Sequence, residues 1–271
     1  MHIEIDLRKS LHENASDYFE KSKKTAKKLE GLEKAMKDLQ EKISVLERKG
    51  LEKKAEKLVK KKPRQWFEKF RWFYSSDGFL VLGGRDAHSN ETLVKNHLEK
   101  EDAYFHAEIH GAPHVIVKAE GKKVPEITLG ETASFAVTFS SAWKLGFASC
   151  DVYSALPEQV SKKAPSGESL ATGAFMIYGK RNWFRKTPLS LAVGLKQAGL
   201  AGEEFFTVMA GPLNAVKKHC IAFIELKQGR ESSGETAKKL RFFFKEKTGF
   251  DVELDELVRA LPAGGFSIAG H

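Results

Sequence analysis

A lysine-rich segment between residues 21 and 62 carries apolar residues at the spacing of a coiled coil. The spacings alternate between three and four residues in the series Leu29, Leu32, Met36, Leu39, Ile43 and Leu46. This alternation places every member on one side of an α-helix. A helix of about 30 residues is roughly 50 Å long and cannot cover its own apolar stripe. The pattern therefore predicts a projecting helical arm that pairs with another helix.

The limits of this arm follow from its flanking residues. Residues 1–10 are typical of an extended lead, and Ser10 and Asn14 are candidate starts for the helix. Gly50 is expected to interrupt the helix, and Leu51, Ala55 and Leu58 would then form a short continuation or a return helix. The first Pro is Pro63. We therefore predict an arm over residues 1–62.

Most of the net positive charge lies in the arm. The whole chain has a net charge of +9 over 271 residues. Residues 21–62 contain 16 Lys or Arg and 7 Asp or Glu, whereas residues 1–20 contain two basic and five acidic residues. The remaining residues, 63–271, are left with a net charge of +3. This distribution favours an anionic partner that the arm contacts.

Several classes of protein are disfavoured by composition. No stretch approaches the roughly 18 to 20 apolar residues that a membrane span needs, so we expect no membrane partner. Residues 1–20 lack the apolar core of a secretory signal. Cys150 and Cys220 are too few for a disulfide framework. We therefore expect a cytoplasmic protein.

The rest of the chain has the pattern of an α+β protein. Apolar strand-like runs, such as residues 79–84, 103–109 and 113–119, alternate with helical patterns such as residues 88–100. Thr128 and Glu131 have capping-box spacing and predict a helix that continues to about Leu145. We predict a mixed β-sheet body with flanking helices over residues 63–199, and a small C-terminal α/β unit over residues 200–271.

A catalytic constellation is not visible in the sequence. It lacks the serine elbow, phosphate-loop, dinucleotide and zinc-protease motifs, and we predict no catalytic residue, no cofactor and no metal. One enzymatic alternative stays open, because His106, Glu108 and His110 would share one face of a strand and could bind a divalent metal. The same histidines could instead stack on unpaired bases.

Two basic loops and a glycine turn favour an RNA-binding function over a catalytic one. Residues 161–168 form a cationic loop, and residues 179–186 place four cations around two aromatic rings. Lys and Arg neutralise phosphates, while aromatic rings stack on bases. Arg85 follows a glycine turn that could hold a phosphate. The predicted RNA-binding residues are Arg85, His106, His110, Lys162, Lys163, Lys180 and Arg181.

Long segments of residues 63–271 resemble the C-terminal region of the NFACT family, which includes bacterial RqcH and eukaryotic NEMF. Their sequences are similar in style to those of archaeal members. The opening IDLRKSLHENASDYFEKSKK also resembles the middle coiled coil of the family. The body phrases are KFRWFYSSDGFLVLGGRDAHSNE, AYFHAEIHGAPHVIVK, QVSKKAPSGESLATGAFMIYGKRNWF and AVKKHC with RALPAGG. In SKKAPSG, Lys163 stands where relatives often have Thr, which adds positive charge.

The resemblance implies a role in ribosome-associated quality control. Family members bind the large ribosomal subunit after a stalled ribosome splits, hold tRNA there and support template-free tailing of the nascent chain. Their coiled coil reaches the stalk base, and their NFACT-R module, matched here by roughly residues 64–190, is regarded as RNA-binding. The expected partners are therefore large-subunit rRNA, a stalk-base protein and tRNA.

The family's NFACT-N and helix-hairpin-helix domains have no counterpart in this sequence. We therefore expect a fragment, a split subunit or a stand-alone NFACT-R protein. The partner of the arm would be a separate chain that contains NFACT-N, or a second copy joined through the coiled coil. Two alternative functions stay open: an RNA-modifying or metal-dependent enzyme domain, and a coiled-coil scaffold for other proteins.

Overall fold

The computed structural model describes residues 4–57, 65–164, 169–198 and 205–268, with side chains for all of these except residues 44–57 and Ala198. The chain forms two compact units, Met1–Pro63 and Arg64–His271. We refer to them as the arm and the body. None of the helices in the described residues is long and apolar enough to cross a membrane.

The arm is one long helix, α1 (Leu11–Lys57), preceded by a lead that folds onto its first turns. Ser10 caps the helix, because its hydroxyl accepts a bond from the Glu13 amide while the Glu13 carboxylate accepts one from the Ser10 amide. Asn14 lies inside the helix and is not its start. Its buried side-chain amide donates to the carbonyls of Asp6, Lys9 and Ser10. Asn14 therefore ties the lead to the helix.

Gly50 does not interrupt α1, which continues to Lys57, so Leu51 and Ala55 belong to the continuation that was one of the two expected outcomes; Leu58 lies outside the described residues. A single glycine costs a helix only about 1 kcal/mol, and the Lys- and Glu-rich flanks are good helix formers. The predicted stripe is exposed on this helix, with Leu32 at 64% and Ile43 at 49%. Its last member, Leu46, lies where side chains are not described.

The body contains two main sheets and six helices within the described residues. Its elements, in chain order, are β1 (Arg71–Tyr74), β2 (Leu80–Gly83), α2 (Ala87–His97), β3 (Ala103–Ala107), β4 (Val115–Val117), α3 (Glu126–Thr138), α4 (Ser141–Leu145), β5 (Ser149–Ala155), β6 (Val160–Ser161), β7 (Met176–Ile177), β8 (Asn182–Pro188), β9 (Leu191–Ala198), β10 (Phe205–Gly211), α5 (Leu213–His219), β11 (Ala222–Glu231), α6 (Ser233–Thr248), α7 (Leu254–Ala260) and β12 (Phe266–Ile268).

The first sheet has the strand order β1-β2-β4-β3-β5-β8, and β6 pairs with β7 in a small ribbon. Helix α3 packs against β3, β4, β5 and β8. Phe135 of α3 is fully buried there, and on the same side Phe105 lies 5.5 Å from Phe184 between ring centroids. Since side chains alternate along a strand, the neighbours of Phe105 and Phe184 face the opposite side of the sheet. That opposite face carries the candidate site.

The second sheet has the strand order β10-β9-β11-β12 and carries α6 against β11 and β12. Strand β9, which the sequence assigns to the predicted 63–199 body, pairs with β10 and β11 in this sheet. The two sheets meet where β1 contacts β10. The Gln228 amide also donates to the carbonyls of Ala142, Trp143 and Phe147. A subdivision at residue 200 stays a prediction.

The predicted α+β class is confirmed. Every strand pairing in the described residues is antiparallel, whereas the sequence predicted a mixed sheet. Strand neighbours are joined by turns such as residues 75–78, where Gly78 has a φ of 87°. A parallel neighbour would need a crossover of a dozen or more residues.

One helix prediction in the body needs correction. The helix predicted from a Thr128–Glu131 capping box begins earlier, at Glu126, and is broken after Thr138. The Thr128 hydroxyl instead donates to the Asp77 carboxylate, and Glu131 accepts the amide of Ser76. Both side chains hold the turn between β1 and β2.

Candidate nucleic-acid interface

Three aromatic side chains cross the open face of the first sheet at a single register. His106 of β3 is paired with Tyr153 of β5, and Tyr153 is paired with Trp183 of β8. Directly opposed residues of antiparallel strands share a face. The ring centroids of His106 and Tyr153 lie 6.0 Å apart, and those of Tyr153 and Trp183 lie 5.5 Å apart. This row leads from a half-buried imidazole to an indole that is 38% exposed.

Two arginine side chains lie over this row of rings on its solvent side. The Arg181 guanidinium lies 4.5 Å from the Tyr153 ring centroid, and that of Arg185 lies 4.1 Å from the Trp183 ring. Trp183 and Arg185 are two residues apart in the edge strand β8, which brings them to the same face. Arg181 immediately precedes this strand, and its contact with Tyr153 places it on the same face. A guanidinium stacked on a ring keeps its N–H donors at the edges of its plane, where they can bond a phosphate.

Each of these arginines has one acidic neighbour. Arg185 Nη1 lies 2.6 Å from Asp151 Oδ2, and Arg181 Nη1 lies 3.8 Å from Glu108 Oε2. The Glu108 side chain is 54% exposed. Exposed pairs of this kind are worth at most about 1 kcal/mol, so a phosphate can compete for both guanidinium groups.

His106 is held as a neutral hydrogen-bond acceptor. Its Nδ1 lies 3.1 Å from the Pro113 carbonyl oxygen, which can only accept, so Nδ1 carries the proton. Burial lowers the pKa of His106, although the bond to Pro113 and the charge of Glu108 oppose this shift. The ring is therefore neutral at pH 7, and Nε2 retains a lone pair.

His114 supports His106 from below. The two imidazoles stack with centroids 4.8 Å apart and an interplanar angle of 21°. His114 Nε2 donates to the Gly173 carbonyl at 2.7 Å, and its Nδ1 accepts the hydroxyl of buried Tyr104. Burial, and next the neighbouring His106, lower the pKa of His114 to about 3. His114 is therefore a neutral imidazole held in place by hydrogen bonds, and it packs against the ring of His106.

Two neighbouring cavities open beside this row and share His106, Ile109 and His110. The larger, of about 500 Å³, lies between the start of α2, the turn 109–114 and residues 172–175. The smaller, of about 370 Å³, is lined by Glu108, Tyr153 and Arg181. Cavities of this size are within the range that small molecules occupy.

Lys162, one of the predicted RNA-binding residues, holds a wall of the larger cavity. Its ammonium donates to the carbonyls of Ala171 and Ala174 at 2.8 and 3.1 Å, and to Glu91 Oε2 at 3.1 Å. Glu91 also accepts the Gly173 amide. Hydrogen bonds from Lys95, Gly173 and Lys162 lower the pKa of Glu91 to about 2. The group formed by Glu91, Lys162 and Gly173 fixes residues 171–174 against α2.

Arg85 is also engaged inside the body. Its guanidinium donates to the carbonyls of Lys69, Phe70 and Arg259, at 3.1, 2.9 and 2.5 Å. Burial, followed by repulsion from Arg259, lowers the pKa of Arg85 to about 10. Its donors therefore link the segment before β1 to α7, and we do not include Arg85 in the RNA surface proposed below.

The other predicted residues lie nearer solvent. Lys163 and Lys180 are exposed, and His110 is exposed at the rim of both cavities. The structure therefore brings together His106, His110 and Arg181, with Lys180 next to Arg181 in the chain. The rest of the predicted cationic loop, residues 165–168, lies outside the described residues.

The geometry assumed for a metal site is wrong. Strand β3 ends at Ala107, so His106, Glu108 and His110 do not alternate on one strand. The chain turns there, since the Ile109 amide bonds the Ala107 carbonyl and the Ala112 amide bonds that of Ile109. Within the part of the chain that the structure describes, no group of three or more His, Cys, Asp or Glu residues could hold a metal ion.

Three members of the site were missing from the predicted residues. Trp183 and Arg185 lie within the basic segment recognised in the sequence, and their spacing of two and four residues from Arg181 is the available signal. Tyr153 carries no comparable signal, because its role depends on strand pairing across β5. The sequence alone does not predict which residues of neighbouring strands are paired.

An α+β domain with stacked guanidinium groups, an exposed indole and an adjoining cavity has the composition of a single-stranded nucleic-acid surface. Comparison with known proteins supports this class. Residues 69–179 match the family described as NFACT protein RNA binding domain. The body of the chain belongs to the NFACT family, as its sequence phrases indicated.

Named relatives agree with this family. The chain is 40% identical over 208 residues to the archaeal Rqc2 homolog aRqcH of Methanocaldococcus jannaschii, an alignment that covers 77% of this chain and 30% of that protein. It is 38% identical over 198 residues to the ribosome quality control complex subunit NEMF homolog of Drosophila melanogaster, covering 71% of this chain and 20% of that protein. The chain thus spans less than a third of either relative.

A solved structure, the C-terminal of the fibronectin/fibrinogen-binding protein from Streptococcus suis, overlaps 48% of this chain and 49% of its own, with 22% identity and a TM-score of 0.38. It is too distant for us to infer anything from it.

Proposed function

We propose that this chain is a cytoplasmic RNA-binding component of ribosome-associated quality control. It binds rRNA of the large ribosomal subunit, tRNA or both, and it contributes no covalent chemistry of its own. The observation that carries the RNA-binding proposal is the group of Arg181, Trp183 and Arg185 at the start of the open edge strand, where guanidinium groups lie beside an exposed indole. The names of the relatives support the quality-control setting.

The physical basis of binding is counterion release combined with base stacking. Each cation that neutralises a phosphate releases condensed counterions, which makes affinity depend on salt. Stacking on an aromatic side chain adds about 1–3 kcal/mol per base without requiring a particular sequence. The cations and the rings are adjacent on β8, so one strand of RNA can contact both.

We further propose that the arm contributes to ribosome docking through its lysines and to assembly through its apolar stripe. The stripe is exposed along α1, and a second helix that covered it would complete a coiled coil. Its partner would be a separate chain that contains NFACT-N or a second copy of this chain. A stalk-base protein is the ribosomal contact that we propose for the arm.

The test compares two variants of the full chain. One loses two cations at the site, and the other loses two cations elsewhere. We expect Lys180→Gln with Arg181→Gln to weaken binding of a fluorescent single-stranded RNA about tenfold at about 0.1 M salt, and to reduce the slope of log affinity against log salt by up to about 1.4. The control is Lys122→Gln with Lys123→Gln, which removes two exposed lysines from the turn after β4. Fluorescence anisotropy at several salt concentrations gives both quantities.

Equal effects of the two pairs would show that net charge, and not this surface, determines RNA binding. Co-sedimentation of the same variants with purified large ribosomal subunits tests the ribosomal part of the proposal separately. Retention of subunit binding by Lys180→Gln with Arg181→Gln would show that these two cations do not contact the ribosome.

A further inference from the structure

We propose that the 500 Å³ cavity beside His106 receives one unpaired nucleobase, while Arg181 in the neighbouring cavity holds the phosphate of the same nucleotide. This inference rests on the proposed RNA-binding function and specifies what the site recognises. The shared wall of the two cavities, formed by His106, Ile109 and His110, would lie between base and phosphate.

The larger cavity suits a neutral ring better than a phosphate. Among the described residues that line it, Arg85 is the only Lys or Arg, and three backbone carbonyls already accept the donors of that guanidinium. The carboxylate of Asp86, which caps α2, also lines the cavity and repels anions. The remaining walls include Ile109, Ala112 and Phe175, which are apolar.

The polar groups of this cavity match the edge of a base. His106 Nε2 offers one acceptor, since Nδ1 is committed to Pro113. Asn90 lines the same cavity, and its Oδ1 accepts the His114 amide at 3.0 Å, which leaves the side-chain NH2 as a donor. Nucleobases present donors and acceptors on their edges, and unstacked bases are the usual target of sequence-specific RNA recognition.

The cavity is pre-formed, which limits the entropy lost on binding. His114 stacks on His106 and bonds the Gly173 carbonyl, while Glu91 bonds the Gly173 amide. Gly173 has a φ of 79°, and a Cβ at this position would lie 2.5 Å from the Ala87 carbonyl oxygen. Residues 172–174 therefore stay against α2 in one conformation.

The test compares two decamers with the same number of phosphates, one of adenylate and one with an abasic sugar at every position. We expect the full chain to prefer the decamer with bases by about 5- to 100-fold, as stacking of one or a few bases would give. Ala174→Leu, which fills the cavity from its wall, should reduce this preference at least several-fold. Ala171→Leu makes the same chemical change in the same loop at an exposed residue outside the cavity lining, and should leave it unchanged.

His106→Phe adds a second readout, because it keeps a ring against His114 and removes the Nε2 acceptor. It should weaken binding of the adenylate decamer and leave binding of the abasic decamer unchanged. If wild-type protein prefers bases but Ala174→Leu and His106→Phe keep the full preference, bases are bound elsewhere and this inference is wrong while the proposed function stands. If wild-type protein shows no salt-dependent binding of either decamer, both are wrong.

Discussion

At the scale of single residues, neighbouring lysines have opposite environments. Lys162 is engaged by Glu91 and by two carbonyls of the loop that it holds. Lys163 is exposed, and its carbonyl accepts the Tyr178 hydroxyl while its side chain faces solvent. Sequence alone treats the two as equivalent cations. Strand β6 ends at Ser161, and beyond it the Lys163 amide donates to the Ser161 hydroxyl.

This pair provides a sharp residue-scale prediction. Lys162→Met removes one of the donors to the Glu91 carboxylate and one donor each to the carbonyls of Ala171 and Ala174, so we expect the free energy of unfolding to fall by about 1–3 kcal/mol. Lys163→Met should change it by less than about 0.5 kcal/mol, as at most exposed positions. Urea unfolding of the full chain, followed by tryptophan fluorescence, measures both. Similar values for the two variants would show that Lys162 does not hold the cavity wall.

At the scale of elements, the sequence pattern predicted those strands and helices whose formation depends on residues close together in the chain. Strand β2 and helix α2 follow the predicted strand-like run 79–84 and the helical pattern 88–100. Local residues also end these elements and their neighbours, since Gly78 supplies a positive φ to the turn before β2 and Gly249 a left-handed C-cap to α6. The aromatic segment at residues 64–74 has helical spacing, yet it forms a short 3-10 turn and then β1. Burial of Phe70 and Phe73 in the core overrides the spacing.

The candidate site was predicted in composition but not in arrangement. Residues 179–186 were recognised as basic and aromatic, and strand alternation then explains which members share a face. The pairing of Trp183 with Tyr153 and His106 depends on contacts between strands far apart in sequence. The capture of Arg85 by the Arg259 carbonyl likewise requires the C-terminal helix. Such long-range contacts leave no local signal.

The loop that closes the cavity gives a prediction at the same scale. Gly173 and Gly78 both have positive φ, but a Cβ meets the Ala87 backbone only at Gly173, whereas nothing lies within 4 Å at Gly78. Gly78→Ala should lower the free energy of unfolding by about 1–2 kcal/mol through backbone strain alone. Gly173→Ala should lower it by at least about 1 kcal/mol more, since two elements must separate. Thermal unfolding compares them, and equal losses would contradict a tightly docked loop.

At the scale of the whole molecule, the charge and the shaped site belong to different units. The arm contains most of the excess positive charge, whereas the body contains the stacked rings and the cavities. At 100° per residue, four arm lysines lie within about 80° of arc, opposite the apolar stripe. They are Lys23, Lys27, Lys34 and Lys37, and Glu30 and Glu41 share their face. A helix that covered the stripe would therefore leave these lysines accessible.

If the arm contacts RNA, its lysines should contribute affinity without base preference. We expect replacement of these four lysines by Gln to reduce the salt slope by up to about 2.8, at about 0.7 per phosphate of single-stranded RNA. The preference for bases over abasic sugars should stay unchanged. A control with the same charge loss replaces four exposed body lysines, Lys122, Lys123, Lys217 and Lys238. Because affinity depends on where cations meet phosphates and not on net charge, the control should lower the slope much less. Equal slopes for the two variants would mean that RNA does not engage the arm, and that its charge serves another partner.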